Sequence, residues 1–230
     1  MHYPQMPDMN GWDVRATYYA GLADDFLCGG TGPITDFHIW TSYKGDVALL
    51  PSDLEFIHTA IYADIPDPDG AGPLYSMPGA MLWHHDWQLD PAIGTFSVRP
   101  WGEGVQGWYD PLASLVLEED HTGVYQWNFL IDPTEAFYQI EGTVYWLEFS
   151  YKLTPAAIEM GKRIGWKTTL NHWNDDAVYR EIVDGQPPVW QELRDPLTQA
   201  SLDMAFVITP EPATLAILLL GGLALPRRRS

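Results

Sequence analysis

The stretch TVYWLEFSY, residues 143–151, is the clearest indication of the fold class of this chain. Successive side chains of a β-strand point to opposite faces, so alternate positions of the stretch share a face. One set is Tyr145, Leu147, Phe149 and Tyr151, and the other is Trp146, Glu148 and Ser150. The first set is aromatic or aliphatic throughout and predicts a core-facing surface. The second set predicts a face that is partly in contact with water.

Similar strand-like segments lie on both sides of this stretch and are separated by turns rich in Gly, Pro and Asp. They carry the β-branched and aromatic residues that fit a pleated, half-buried surface, and the clearest are residues 34–43, 54–65, 124–131, 164–168, 177–182 and 201–208. One short helix is predicted over residues 155–162, with Pro155 suited to its first turn and Gly161 to its end. The pattern predicts an all-β fold, a two-sheet antiparallel β-sandwich that is jelly-roll-like.

The domain organisation follows from the same pattern. Residues 1–21 have no hydrophobic periodicity and predict an irregular lead-in. Residues 22–208 predict a single β-sandwich domain, interrupted by a long surface loop at residues 66–79, where Pro and Gly are dense. Residues 209–230 predict a separate C-terminal tail.

Composition and charge limit the classes of partner. Hydrophobic residues make up 46% of the chain, which is enough for a sizeable core, although 31 acidic residues face only 12 basic ones. The resulting net charge of −19 repels a phosphate backbone, so nucleic acid is not expected as a partner, whereas divalent cations are. Cys28 is the single cysteine, so no intrachain disulfide can form, and we expect it to be a small buried hydrophobe.

The tail, TPEPATLAILLLGGLALPRRRS at residues 209–230, has three parts in order. These are the triplet Pro210, Glu211 and Pro212, an apolar run at residues 213–225, and the arginines Arg227, Arg228 and Arg229. The run predicts a short C-terminal hydrophobic helix of about 20 Å, against a hydrocarbon core of about 30 Å, which is too short for a comfortable permanent anchor. The arginines should stay on the cytoplasmic side, which places the body outside.

This order of triplet, apolar run and arginines resembles the PEP-CTERM sorting signal. The resemblance implies an exported protein of the cell envelope, cell surface or extracellular space, with an exosortase-type processing enzyme as a partner and a membrane segment that is transient. Residues 1–11 contain no visible secretory signal peptide, so export predicts a leader encoded upstream of Met1.

The body also carries a series of landmarks: Leu22–Phe26, Gly32–Trp40, Ile61–Pro66, Gly165–Thr168, His172–Val178 and Leu202–Thr209. Together they resemble an uncharacterised bacterial secreted domain that commonly precedes PEP-CTERM tails. That resemblance implies a secreted β-sandwich and no established activity. The beginning and end of the body also resemble jelly-roll carbohydrate-binding modules, more weakly.

Oxygen-bearing side chains near the first and last strands of the predicted domain are candidate calcium ligands. They are Asp24, Asp25, Asn174, Asp175, Asp176 and Asp203. Calcium takes six to eight oxygen ligands, often from several loops, and the first and last strands of a jelly roll commonly lie close together. The alternative is that these residues make turns and solvate the surface. A structural calcium ion is therefore the one cofactor that the sequence suggests.

Aromatic residues in short strands and loops are candidate sugar-stacking platforms. The candidates are Trp83, Trp87, Trp101, Trp108, Tyr109, Trp173 and Trp190, of which Trp83, Trp108 and Trp173 are chosen as ligand-binding residues. The alternative is that tryptophans form the core and its edges, because each buries a large area.

No pattern of catalytic residues stands out in the sequence, so an enzyme is not predicted. The chain has no Gly-x-Ser-x-Gly elbow and no His-Glu-x-x-His helix. His84, His85 and Asp86 are adjacent, but neighbouring strand residues point to opposite faces, so the two imidazoles would not easily share one zinc ion.

The sequence therefore favours a non-catalytic exported cell-surface or extracellular-matrix protein, associated with extracellular polysaccharide. The alternative is a calcium-stabilised carbohydrate-binding module, and a secreted hydrolase comes third.

Overall fold

The computed structural model describes residues 2–18, 20–67, 75–87, 95–181 and 189–210. Its strands are β1 (His2–Gln5), β2 (Trp12–Arg15), β3 (Leu22–Leu27), β4 (Gly32–Tyr43), β5 (Leu54–Ile65), β6 (Met77–Trp87), β7 (Thr95–Asp110), β8 (Leu115–Leu130), β9 (Tyr138–Gln139), β10 (Val144–Leu153), β11 (Ile164–Thr169), β12 (Val178–Glu181), β13 (Val189–Glu192), β14 (Asp203–Met204) and β15 (Phe206–Pro210). Within these residues one α-helix is present, α1 (Pro155–Glu159), which begins after the N-cap Thr154, and the chain turns at Gly161 with φ of +75°. The prediction of an all-β fold with almost no helix is confirmed.

The strands form two sheets. The larger has the order β1-β15-β4-β8-β7-β2-β11-β14, with β9 paired to the start of β4, and the smaller has the order β13-β12-β3-β10-β5-β6. Strand β4 also pairs with β11, so β4, β8, β7, β2 and β11 close into a ring within the larger sheet. The strand pairings are antiparallel except for the parallel pair β2–β7, which departs from the purely antiparallel arrangement that was predicted.

The two sheets pack face to face through aromatic side chains. The ring of Phe149 in β10 lies 6.5 Å from Phe129 in β8 and 5.7 Å from Trp166 in β11. Phe26 in β3 lies 6.1 Å from Phe206 in β15. The predicted core face of β10 is confirmed, because Tyr145, Leu147, Phe149 and Tyr151 are all buried in the main core.

The second face of β10 is buried, so its prediction as partly wet is wrong. Trp146, Glu148 and Ser150 are all 0% exposed. Val178 of β12 and Trp190 of β13, which belong to the same sheet as β10, form a small buried cluster with Trp146. The buried carboxylate is satisfied by an ion pair, since the Arg180 guanidinium donates to both Glu148 oxygens at 2.9 and 3.0 Å.

The N-terminal residues are organised, which corrects the prediction of an irregular lead-in over residues 1–21. Strand β1 pairs with β15, and β2 lies between β7 and β11. Val14 is fully buried and Trp12 nearly so. Each strand has only four residues, which is too few for an alternation of side chains to be detected in the sequence. The strands with which they pair are also distant in the sequence.

Several boundaries also differ from the prediction. Strand β6 begins at Met77, inside the predicted surface loop, of which residues 68–74 lie outside the described residues. Strand β8 has 16 residues, whereas the predicted strand in this region covered only residues 124–131, and β7 beside it is equally long. The glycines within β7 make no turn; a Cβ at Gly104 would collide with the backbone carbonyl of Met9, so glycine permits this close approach.

The strand before the tail continues further than predicted. Thr209 and Pro210 extend β15 and pair with Asp36 and Ile34 of β4. The rest of the tail, residues 211–230, lies outside the described residues, and so do the predicted hydrophobic helix and the arginines Arg227 to Arg229. In the part of the chain that the structure describes, no helix has the length and hydropathy needed to cross a bilayer.

Candidate functional site

The predicted calcium ligands gather where the two sheets meet. Asp24 and Asp25 lie in β3 of the smaller sheet, and Asp203 lies in β14 of the larger. The loop after β11 supplies Asn174, Asp175 and Asp176, and it also brings His172, which was not predicted. We call these seven residues the acidic cluster.

Asp24 and Asp25 point to opposite faces of β3, because Asp24 pairs with Leu147 and Asp25 with Trp146. The Asp24 carboxyl accepts hydrogen bonds from the backbone amides of Met204, at 2.7 Å, and Asp25, at 2.9 Å. The amide nitrogen of Gln5 adds a third at 2.9 Å in the orientation that satisfies it. Asp24 therefore connects β3 to β14 and has little capacity left for an ion.

Asp25 is the member with a free ligand atom. It is 0% exposed, and its Oδ2 accepts one hydrogen bond from the Asn174 side-chain amide at 2.5 Å. Its Oδ1 is buried and has no hydrogen-bond partner among the described residues. Leaving a buried carboxylate oxygen unpaired is costly, which makes this atom the strongest local indication of a missing partner.

His172, Asp176 and Asp203 form the tightest group, with one potential ligand atom from each lying within 4.8 Å of the others. The His172 Nδ1 lies 3.1 Å from both Asp203 oxygens, which is the geometry of an N–H donor to that carboxylate. The backbone amide of Trp173 donates to Asp203 at 2.8 Å. Asp176 accepts from the Ser201 hydroxyl and pairs with Arg194 at 2.8 Å.

The other two predicted ligands have protein partners of their own. Asp175 accepts two hydrogen bonds from Ser76, one from its backbone amide at 3.1 Å and one from its hydroxyl at 2.7 Å. Asn174 is exposed and donates to Asp25. The structure therefore brings Asp176 and Asp203 together beside His172, whereas Asp25 contacts Asn174 and is influenced by the charge of Asp203.

Burial raises the pKa of four carboxyls in the acidic cluster. It raises that of Asp25 to about 8 and that of Asp176 to about 7, and it raises those of Asp24 and Asp203 above their ordinary value. The second common cause is repulsion, because the charge of Asp203 raises the pKa of each of the other three. Asp203 is thus the electrostatic centre of the cluster.

The cluster has more negative charge than its protein partners can balance. Among the described residues, Arg194 is the only lysine or arginine in salt-bridge contact with any of these carboxyls, and it contacts Asp176. Buried carboxylates without a cation either take up protons or bind a metal ion. Carboxylate and amide oxygens are the ligands that calcium prefers. The arrangement can therefore hold a calcium-like cation at Asp176 and Asp203, whose ligand atoms lie within 4.8 Å of each other and of the His172 ring.

Ser201, His172 and Asp203 do not form a nucleophilic triad, although they lie together. A catalytic triad needs the acid on one imidazole nitrogen and the serine on the other, so that the ring can relay a proton. Here the Ser201 hydroxyl and the Asp203 carboxylate both contact Nδ1 of His172, at 3.0 and 3.1 Å. This geometry gives the serine no separate base.

The predicted sugar-binding tryptophans do not form a common platform. Trp108 is 1% exposed and packs against His121, so its prediction as a ligand-binding ring is wrong; its large apolar surface is part of the interior. Trp83 and Trp173 are half-buried, and the Trp83 indole donates to the carbonyl of Glu135 at 2.8 Å. Trp87 and Trp190 are buried as well, whereas Trp101 is 38% exposed.

A cavity of about 560 Å³ borders the acidic cluster. His172, Ser201 and Asp203 line one side of it, and Trp12, Asp195 and Thr168 line another part. The Trp12 indole donates to Asp195 at 2.8 Å, which fixes both side chains at the wall. Sequence reasoning missed this cavity because β2, the cluster loop and the segment before β14 are far apart in the chain.

A family model described as "Domain of unknown function (DUF7901)" matches residues 1–209. No match was found among curated proteins or among solved structures.

Proposed function

The chain belongs to the DUF7901 family, a domain of unknown function, and we propose that it is a non-catalytic exported protein of the cell surface or extracellular matrix whose body binds calcium. The tail resembling a PEP-CTERM signal supports export and exosortase-type sorting. A jelly-roll-like connection of the two sheets is part of this proposal.

The observation that carries the calcium proposal is the group of His172, Asp176 and Asp203, with ligand atoms within 4.8 Å of one another and few cationic partners. The buried, unpartnered Oδ1 of Asp25, whose pKa is raised by burial and by the charge of Asp203, adds to the excess of carboxyls. A calcium ion there would receive oxygens from Asp176 in the loop after β11 and from Asp203 in β14, so it would hold the loop that leads from the larger sheet to the smaller one against β14. In a chain that cannot form an intrachain disulfide, such a cross-link would stabilise the folded state.

Calorimetric titration of the chelator-treated protein with calcium tests the site directly. We expect one calcium ion per chain, and we expect Asp203→Asn to abolish or greatly weaken binding because Asp203 contributes at the centre. Asp132→Asn, at an exposed aspartate that accepts hydrogen bonds within its own turn, is the matched control and should bind like the wild type. Equal binding by Asp203→Asn would exclude the site.

The sorting part of the proposal has its own test. In an exosortase-containing host, the full chain carrying a secretory leader should appear outside the cell or on its surface with a shortened C-terminus, measured by mass spectrometry. Replacement of Pro210, Glu211 and Pro212 by alanine should leave the tail uncleaved. Normal processing of that variant would argue against the PEP-CTERM assignment, and the calcium result would be unaffected.

Carbohydrate binding is a second candidate function, and the cavity beside the acidic cluster favours it. The cavity is in the size range of small-molecule sites, and it presents carboxylate, hydroxyl and imidazole groups beside the Trp12 ring. Ala200 lines the cavity and is exposed, so Ala200→Trp would fill it without disturbing the core. Ala156→Trp, on the exposed face of α1, is the matched control.

A glycan array separates this candidate from a purely structural protein. Carbohydrate binding predicts that the wild type and Ala156→Trp are retained on the same glycans and that Ala200→Trp is not. Retention of all three proteins would place the binding elsewhere, and retention of none would remove this candidate.

A further inference from the structure

A second group of metal-ligand side chains lies on the outer face of the smaller sheet, away from the acidic cluster. It consists of His58 in β5 and His84 and Asp86 in β6. We propose that these three side chains bind a divalent transition metal ion of the zinc type.

The strand register brings the three side chains together. Strands β5 and β6 are antiparallel, with His58 directly opposite Asp86 and Ala60 directly opposite His84. Directly opposite residues share a face of the sheet, and so do residues two apart on one strand. His58, His84 and Asp86 therefore project from the same face.

His85 projects from the other face and takes no part. Its ring packs 4.4 Å from that of Trp87, and burial lowers its pKa, as expected for a neutral imidazole next to the core. The sequence correctly predicts that His84 and His85 cannot share an ion. It does not reveal that the second imidazole comes from His58, 26 residues before His84, because that depends on the β5–β6 register.

The side-chain geometry suits a three-residue site. One ligand atom from each residue lies within 4.8 Å of the others, and His58 Nδ1 is 2.6 Å from Asp86 Oδ1. Ligand atoms around a tetrahedral zinc ion at about 2.0–2.2 Å lie roughly 3.4 Å apart. Small side-chain rotations therefore suffice, and Asp86, whose side chain is 46% exposed, is free to make them.

His58 is buried and held in place, whereas His84 and Asp86 are exposed to solvent. His58 is 6% exposed, and its ring is held by an edge-on contact with Tyr18, with ring centres 5.6 Å apart. Ser150 of β10 lies directly across from His58, and its buried hydroxyl has no hydrogen-bond partner among the described residues. Such a hydroxyl can orient a metal-binding imidazole. His84 and Asp86 are exposed, which leaves an approach and a fourth coordination position for water.

The ligand types select the ion. Two imidazole nitrogens and one carboxylate are typical of zinc and its transition-metal neighbours, whereas calcium takes oxygen ligands almost exclusively. The proposed ion therefore differs from the one assigned to the acidic cluster, and the two sites can be filled and tested separately.

Titration of the full chain with zinc and cobalt in the presence of millimolar calcium tests the inference. Calcium occupies or shields the acidic cluster, and cobalt reports tetrahedral coordination by its visible absorption. We expect one zinc or cobalt ion per chain. His84→Gln, at an exposed residue, should weaken binding at least about tenfold, which is the smallest effect expected from removal of a direct ligand.

His172→Gln is the matched control, because it removes an exposed histidine from the other candidate metal group. It should bind zinc like the wild type. Asp86→Asn gives a second measurement at an exposed ligand, and circular dichroism checks that each variant is folded. Unchanged affinity in both His84→Gln and Asp86→Asn, loss of binding in His172→Gln alone, or no zinc uptake by the wild type would each overturn the inference.

Discussion

Replacement of Asp25 by asparagine should make the calcium-free protein more stable at neutral pH. Burial, followed by the charges of Asp203 and Asp175, raises the pKa of Asp25 to about 8 from an ordinary value of 3.8. Between these values the folded state keeps a proton on Asp25 that the unfolded state has released. The stability from this group is therefore fully present below about pH 4 and is lost as the pH rises through about 8.

The size of the effect follows from proton linkage. One proton held only by the folded state lowers the free energy of unfolding by about 1.4 kcal/mol for each unit of rising pH. From pH 5 to pH 7 the wild type should lose about 3 kcal/mol through Asp25 alone, and Asp25→Asn should lose that much less. For a chain of this size, the difference corresponds to about 6–12 °C in Tm.

Urea denaturation at pH 5, 6 and 7 in EDTA measures this difference, with Asp67→Asn, an exposed aspartate outside the cluster, as the control for loss of one negative charge. Asparagine can still accept the hydrogen bond from Asn174, so the local packing is retained. The reasoning is refuted if Asp25→Asn and the wild type lose stability with the same slope. An Asp25→Asn protein that is less stable than the wild type at pH 7 in EDTA would refute it as well.

Three further predictions concern the stability of the fold. Arg180→Met leaves Glu148 buried with a hydrogen bond from Tyr62 but without a cation, and it should cost about 3–5 kcal/mol in urea denaturation. Lys152→Met removes a half-exposed pair with Glu55 and a contact with the Phe56 ring, and it should cost about 1 kcal/mol. Similar losses in both variants would contradict the assignment. Gly104→Ala should cost about 1–3 kcal/mol because its Cβ meets the Met9 carbonyl, and Gly32→Ala, where no atom lies within 4 Å, should be close to neutral. Despite the opposing effect of burial, hydrogen bonds to Asp13 and Asp120 raise the pKa of His121, so its stabilising contribution is fully present below about pH 6.5 and is lost as the pH rises from there through the raised pKa. His121→Gln should flatten the stability curve over this range, and an unchanged curve would show that His121 does not titrate in this way.

The fold class could be predicted from the sequence because the alternation of side chains is visible within each long central strand. Tyr145, Leu147, Phe149 and Tyr151 mark the core face of β10 without any knowledge of its partners. The short strands could not be predicted in this way. Trp12 to Arg15 has too few residues to show a period, and it is a strand because β7 and β11 lie beside it.

The candidate sites show the same division between local pattern and long-range contact. The oxygen-rich residues could be chosen by type, and the expectation that the ends of the domain meet brought Asp25 and Asp203 into one candidate set. The sequence could not show that Asp24 accepts a hydrogen bond from the Met204 amide, since that depends on β14 lying next to β3. Nor could it show that Trp108 is interior or that His58 faces His84, because both depend on strand neighbours.

The most direct measurement of the central claim is the Tm of the wild type at neutral pH with calcium and with EDTA. A cation that binds only the folded state at a concentration of 100 times its Kd adds about 2.7 kcal/mol to the free energy of unfolding. The acidic cluster therefore predicts a rise in Tm of about 5–11 °C in calcium. An identical Tm in calcium and in EDTA would contradict a calcium ion bound at Asp176 and Asp203.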